Sequence, residues 1–127
     1  MERDKIQKAG HKIIAVVGNS EGWYLQEILE EVEKLKMITK DDMIVSGGAD
    51  GVDVFAQIYA KRHGIPIIIL YPDPEKQSPE KFYERNRKIV ELADEIIAFN
   101  KKGEKGGTAY TIKYAKKLGK NVIVCKK

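Results

Sequence analysis

The stretch Met43-Ile44-Val45-Ser46-Gly47-Gly48-Ala49-Asp50-Gly51-Val52-Asp53 decides the fold. Three apolar residues run into a glycine-rich turn. Val52, Phe55, Ala56 and Tyr59 then recur at helical spacing until Gly64 and Pro66 end the run. Strand, tight turn and helix form the first half of a βαβ unit, and the same order repeats on both sides. Upstream, Ile13-Ile14-Ala15-Val16-Val17 leads through Gly18-Asn19-Ser20 into a helix carrying Leu25, Ile28, Leu29, Val32 and Leu35 on one face. Downstream, Ile67 to Leu70 is a third strand, Pro79 to Ala93 a helix, and Glu95 to Phe99 a fourth strand. Thr108 to Leu118 is a last helix ended by Gly119, and Asn121 to Cys125 a fifth strand.

The strand runs are apolar at every position rather than at every second one, the mark of strands covered on both faces. The expected fold is therefore α/β, a three-layer Rossmann-like sandwich whose five-stranded parallel sheet has the order 3-2-1-4-5. One domain spans residues 1–127. In such sheets ligands bind outside the carboxyl ends of the strands, where the strand order reverses. That point lies between strands one and four. The turns after strands one, two and four, all built of small residues, are expected to converge there.

Composition narrows the classes. Of 127 residues, 43% are hydrophobic and 33% charged, and no apolar stretch approaches the roughly 20 residues of a membrane-spanning helix. The charged start Met1-Glu2-Arg3-Asp4-Lys5 lacks the apolar core of a signal peptide, so a cytoplasmic protein with no membrane partner is expected. Cys125 is the sole cysteine, and His11 and His63 follow no ligand spacing, so no metal site is expected. Lys and Arg number 23 against 19 acidic residues, a net charge of +4. That balance suits an anionic partner, and it also suits a lysine- and glutamate-rich surface of thermophile type.

The turns carry the chemistry. Glycine lets backbone amides approach a ligand, and a helix N-terminus behind them favours an anion. Gly106-Gly107-Thr108 stands directly before a helix, where Thr108 is placed either to cap it or to join a phosphate site. Asp50 and Asp53 suit either a helix start or a ribose hydroxyl. Phe82, Asn86, Ile89 and Ala93 share a helical face, which aims Asn86 at the core side, where it must bond a loop or a ligand. Arg85 beside it is within reach of a phosphate. Trp23 and Tyr24 fit either stacking on a base or packing on the sheet edge, and Tyr110 and Tyr114 read as core or rim. The loop holding Pro72, Pro74 and Pro79 is the candidate flap.

With these residues in place, the chain resembles the SLOG superfamily, which joins the Smf/DprA DNA-processing proteins and the LOG cytokinin-activating enzymes. The similarity is to its small YpsA-like members and runs from about Ile13 to Val124. It rests on the turn after strand one, Ser46-Gly47-Gly48-Ala49-Asp50-Gly51-Val52-Asp53, Arg85-Asn86, Ala93-Asp94 and Gly106-Gly107-Thr108. The resemblance implies a nucleotide pocket lined by Gly18, Ser20, Gly47, Gly48, Asp53, Arg85, Asn86, Gly106, Gly107 and Thr108. Asn19, Ala49 and Asp50 join them as members of the same turns. In the LOG branch a glutamate three residues past the threonine serves N-glycosidic cleavage. Here Thr111 holds that place.

Three functions follow as expectations. The first is a module binding a nucleotide-type ligand, such as a nucleoside monophosphate or an ADP-ribose-like molecule, with no firm cofactor. The second is an N-glycosidic hydrolase using Asp50, Asp53 or Glu84 in place of the missing glutamate. The third is DprA-like binding of single-stranded nucleic acid through basic and aromatic side chains. The resemblance also implies a homo-oligomer, a dimer or larger.

Overall fold

A computed structural model describes residues 12–18, 24–48, 52–100 and 107–126. Along them run β1 (Ile13–Gly18), α1 (Leu25–Leu35), β2 (Met43–Gly47), α2 (Val52–His63) and β3 (Ile67–Leu70). Then follow α3 (Glu80–Leu92), β4 (Glu95–Asn100), α4 (Gly107–Lys117) and β5 (Asn121–Lys126). The strands form one parallel sheet in the order β3-β2-β1-β4-β5, as expected from the sequence. The architecture is α/β with helices on both faces, a Rossmann-like sandwich.

Alternation along each strand divides the core in two. Ile14, Val16, Ile44, Ile97 and Phe99 pack with Ile28 and Val32 of α1 and Phe55 and Tyr59 of α2. Ile13, Ala15, Val17, Val45, Ile96 and Ala98 face the other way, onto Ile89, Val90 and Ala93 around α3 and Ile112 and Ala115 of α4. This explains why the strands are apolar at successive positions: each neighbour serves a different layer. Burying a large aliphatic side chain contributes roughly 1.5–3 kcal/mol, so the central strands supply much of the folding free energy.

The amino end of the sheet is clasped by Asp94. Its backbone N–H donates to the Ile13 carbonyl at 2.7 Å, and its Oδ2 accepts from the Ile13 N–H at 2.9 Å. Lys120 Nζ donates to the Ala93 carbonyl at 2.7 Å beside it. These bonds precede the pairing of Ile14 with Glu95 and fix how β1 lies against β4.

Two local details differ from the sequence reading. Helix α4 already includes Gly107, so Thr108 lies inside its first turn rather than capping it. Phe82, expected on the core face of α3, is 46% exposed, with Lys81 Nζ 5.2 Å from its ring centroid. The helix starts beyond the carboxyl ends of the strands, so its first turn has no sheet beneath it. In the proline-rich loop Asp73 Oδ1 accepts the Glu75 N–H at 3.0 Å, and Lys76 bonds Glu84 of α3. Among the described residues no helix is long and apolar enough to cross a membrane.

Candidate functional site

The carboxyl ends of β1, β2 and β4 lie side by side, and two glycines there are demanded by their neighbours. Gly18 has φ +150°, and a Cβ on it would stand 2.3 Å from the carbonyl oxygen and 2.8 Å from the nitrogen of Phe99. That is a collision with the backbone of the adjoining strand across the point where the strand order reverses. At Gly47 a Cβ would meet Arg85 Nη1 at 2.7 Å and Asp53 Oδ2 at 3.0 Å. The missing side chain is thus the space in which a cation from α3 and a carboxylate from α2 come together.

Ser46 is the one polar residue of β2 and is fully buried. Its Oγ stands 2.7 Å from the Val16 carbonyl and 2.7 Å from Asp53 Oδ1. One hydroxyl hydrogen serves two acceptors, so the buried Asp53 draws further stabilisation from the neighbouring guanidinium. Burial lowers the Arg85 pKa from its ordinary value, and the Asp53 carboxylate opposes that shift. Arg85 also donates from Nε to Asn86 Oδ1 at 2.8 Å. Asn86 Nδ2 in turn lies 3.6 Å from the place a Cβ on Gly107 would occupy, at the start of α4. An unbroken chain of side chains, Ser46–Asp53–Arg85–Asn86, therefore runs from the end of β2 to the N-terminus of α4.

The remaining expected site residues divide as follows. Gly48 is exposed and lies beneath the Tyr71 ring, where a Cβ would stand 2.0 Å from Cε1. Thr108 is half-buried in the first turn of α4. Glu84 sits apart from the glycine turns, bonded to Lys76 and 3.8 Å from Lys88. Thr111 Oγ1 donates to the Gly107 carbonyl at 2.7 Å, a bond within its own helix. Asn19, Ser20, Ala49, Asp50 and Gly106 lie outside the described residues, as does Trp23.

Two contributors escaped the sequence reading. Asn100, the last residue of β4, is 7% exposed, and its Oδ1 is buried with no hydrogen-bond partner among the described residues. Alternation along β4 puts it on the α3–α4 side of the sheet, beside the crevice. Tyr71 is 67% exposed immediately after β3; Tyr24, already a stacking candidate from the sequence, is 76% exposed before α1. The signals for the two were present: a polar residue closing an apolar strand, and an aromatic placed directly after a strand.

The assembled edge offers a half-buried guanidinium, the first-turn amides of α4, a buried acceptor with no donor among the described residues and exposed aromatic rings. That set suits a phosphate with an attached base. Among the described residues no cluster of three metal-ligating side chains occurs.

The fold is that of the SLOG class of Rossmann-like proteins. The family model of DNA recombination-mediator protein A matches residues 63–127, just over half of the chain, and the chain belongs to that family. Among solved structures, DNA processing protein A from Helicobacter pylori matches with a TM-score of 0.64 at 22% identity, covering 94% of this chain and 67% of that one. At this identity the likeness bears on the fold. The H. pylori protein has a unique single-stranded DNA binding mode. No curated protein matches the chain.

Proposed function

We propose that this protein binds single-stranded nucleic acid across the carboxyl edge of its sheet, with Arg85 as the central phosphate contact. The observation that supports it most is Arg85 itself. A guanidinium is held half-buried over Gly47, backed by Asp53 and Asn86, at the edge where folds of this class take ligands. Family membership and the H. pylori neighbour point the same way. Exposed Tyr71 and Tyr24 would supply faces on which bases stack, a contact tolerant of sequence.

The test is binding of a labelled oligothymidylate by fluorescence anisotropy across a salt series. Affinity falls with salt in proportion to the phosphates neutralised, with a log–log slope of about −0.7 per contact for a single strand. Arg85→Gln reduces both the affinity and the slope. Binding that ignores salt, or an Arg85→Gln variant that binds like the parent, defeats the reading.

A second reading, a free nucleotide in the same crevice, draws on Asn100. Its orphaned Oδ1 would accept from a base amine or a ribose hydroxyl. Thermal-shift measurements with nucleoside monophosphates and ADP-ribose separate the two. Stabilisation by mononucleotides without strand binding favours the second. N-glycosidic hydrolysis has less support, because Asp53 is engaged by Ser46 and Glu84 by Lys76 and Lys88.

A further inference from the structure

Helix α4 carries a second recognition element away from the glycine turns. Tyr110, Lys113, Tyr114 and Lys117 follow one another at i, i+3, i+4 and i+7, which places them on one helical face. With Arg87 of α3 they line a groove of about 500 Å³ between the two helices. The Tyr110 and Tyr114 rings are nearly parallel, 5° apart in tilt with centroids at 6.3 Å, and Tyr83 of α3 meets Tyr110 edge-on at 4.8 Å.

The polar tips of these rings are occupied, and both rings are half-buried, Tyr114 packing in part against the core beneath it. Arg87 Nη1 donates to the Tyr110 hydroxyl oxygen at 2.9 Å, and Arg87 Nη2 donates to Glu80 at 2.9 Å. Tyr114 donates to Glu91 Oε2 at 2.6 Å, and that bond raises the phenol pKa. The rings are thereby fixed in orientation. Lys113 and Lys117 have no carboxylate within ion-pair distance among the described residues, so their charges remain for an outside partner. The two carboxylates nearby, Glu80 and Glu91, are each committed to a neighbour.

We infer that the α3–α4 groove is a track for single-stranded nucleic acid, its bases lying on Tyr110 and Tyr114 and its phosphates meeting Lys113 and Lys117. Aromatic and cationic residues repeat one helical turn apart, about 6 Å along the axis, a spacing on the scale of one nucleotide. Flat rings with fixed hydroxyls beside unpaired ammonium groups complement stacked bases joined by phosphates. They complement an aliphatic protein face poorly. The groove also begins at the site described above: Tyr83 and Arg87 flank Arg85 and Asn86 on α3, and Tyr110 is one turn beyond Gly107 on α4. This inference rests on the strand-binding reading and extends it, since a strand crossing the sheet edge would continue down the groove.

Anisotropy with the full chain and two oligothymidylates, one short enough to cover the sheet edge alone and one longer, tests it. For the longer strand, Lys113→Ala with Lys117→Ala reduces the salt slope by about 1.4, two contacts at 0.7 each. Tyr110→Leu with Tyr114→Leu weakens it roughly tenfold. Neither double variant changes binding of the short strand, which Arg85→Gln still weakens. If long-strand affinity and slope survive the lysine substitutions while Arg85→Gln lowers both, the groove is not a track and the edge reading stands alone. If the parent binds neither strand, both readings fall. Circular dichroism guards the tyrosine variant. The lysine variant alters exposed side chains, so it carries the decision if the tyrosine variant fails to fold.

Discussion

The glycine-lined edge and the tyrosine–lysine groove are built by opposite means. At the edge, Gly18 and Gly47 are set by what touches them: the Phe99 backbone in one case, Arg85 and Asp53 in the other. The groove is built of half-buried rings steered by hydrogen bonds to Arg87 and Glu91, with two exposed lysines that meet no carboxylate among the described residues. Errors at the edge should therefore cost folding. Errors in the groove should cost binding and leave stability alone.

The largest expected effect is Gly18→Ala. Its Cβ meets main-chain atoms that cannot move aside, and the positive φ adds strain, so the loss should reach about 3 kcal/mol or more in urea unfolding. A fully stable variant would show that β1 and β4 can separate at this point. Gly47→Ala should cost about 1–3 kcal/mol, because Arg85 and Asp53 must part to admit a methyl group. Gly48→Ala sharpens the contrast. Its Cβ meets only the exposed Tyr71 ring, which can swing away, so the change should stay within about 0.5 kcal/mol. Ser46→Ala removes a buried hydroxyl from Val16 and Asp53 and should cost about 1–3 kcal/mol.

The smallest effect concerns pH. The Lys76 ammonium bonded to Glu84 holds that carboxyl below its ordinary value. A carboxyl with a lowered folded-state pKa adds stability above its unfolded pKa and loses it as pH falls through the folded one. The contribution is therefore present at neutral pH and disappears in acid, below the usual carboxylate range. Both groups face solvent, so Lys76→Gln should lower the neutral plateau of a stability–pH profile only slightly and leave its acid end, where the contribution is already gone, unchanged.

What could be read from letters alone followed from packing geometry. Continuous apolar strands gave the parallel sheet and its order, because a strand covered on both faces has no polar alternation to confuse with a helix. Gly18 and Gly47 were legible as close approaches, although the groups approaching them were not. That depended on α3 delivering Arg85 over β2, a contact between residues 38 positions apart in the chain. Phe82 misled for a related reason: periodicity marks a face without showing whether anything lies beneath it. Tyr110 and Tyr114 read as core or rim residues and are half-buried at the rim of the α3–α4 layer; what the letters did not show was the groove they line with Lys113 and Lys117. Asn100 gained meaning once its oxygen was found buried with no donor among the described residues.

Asp94 gives one small side chain influence far beyond its neighbourhood. Were β1 to slide by a single residue against β4, every side chain on it would trade layers, since neighbours point to opposite faces. Gly18 would then no longer sit against Phe99, and the crevice mouth would close or splay. A carboxylate at the rear of the sheet thus calibrates the aperture at the front.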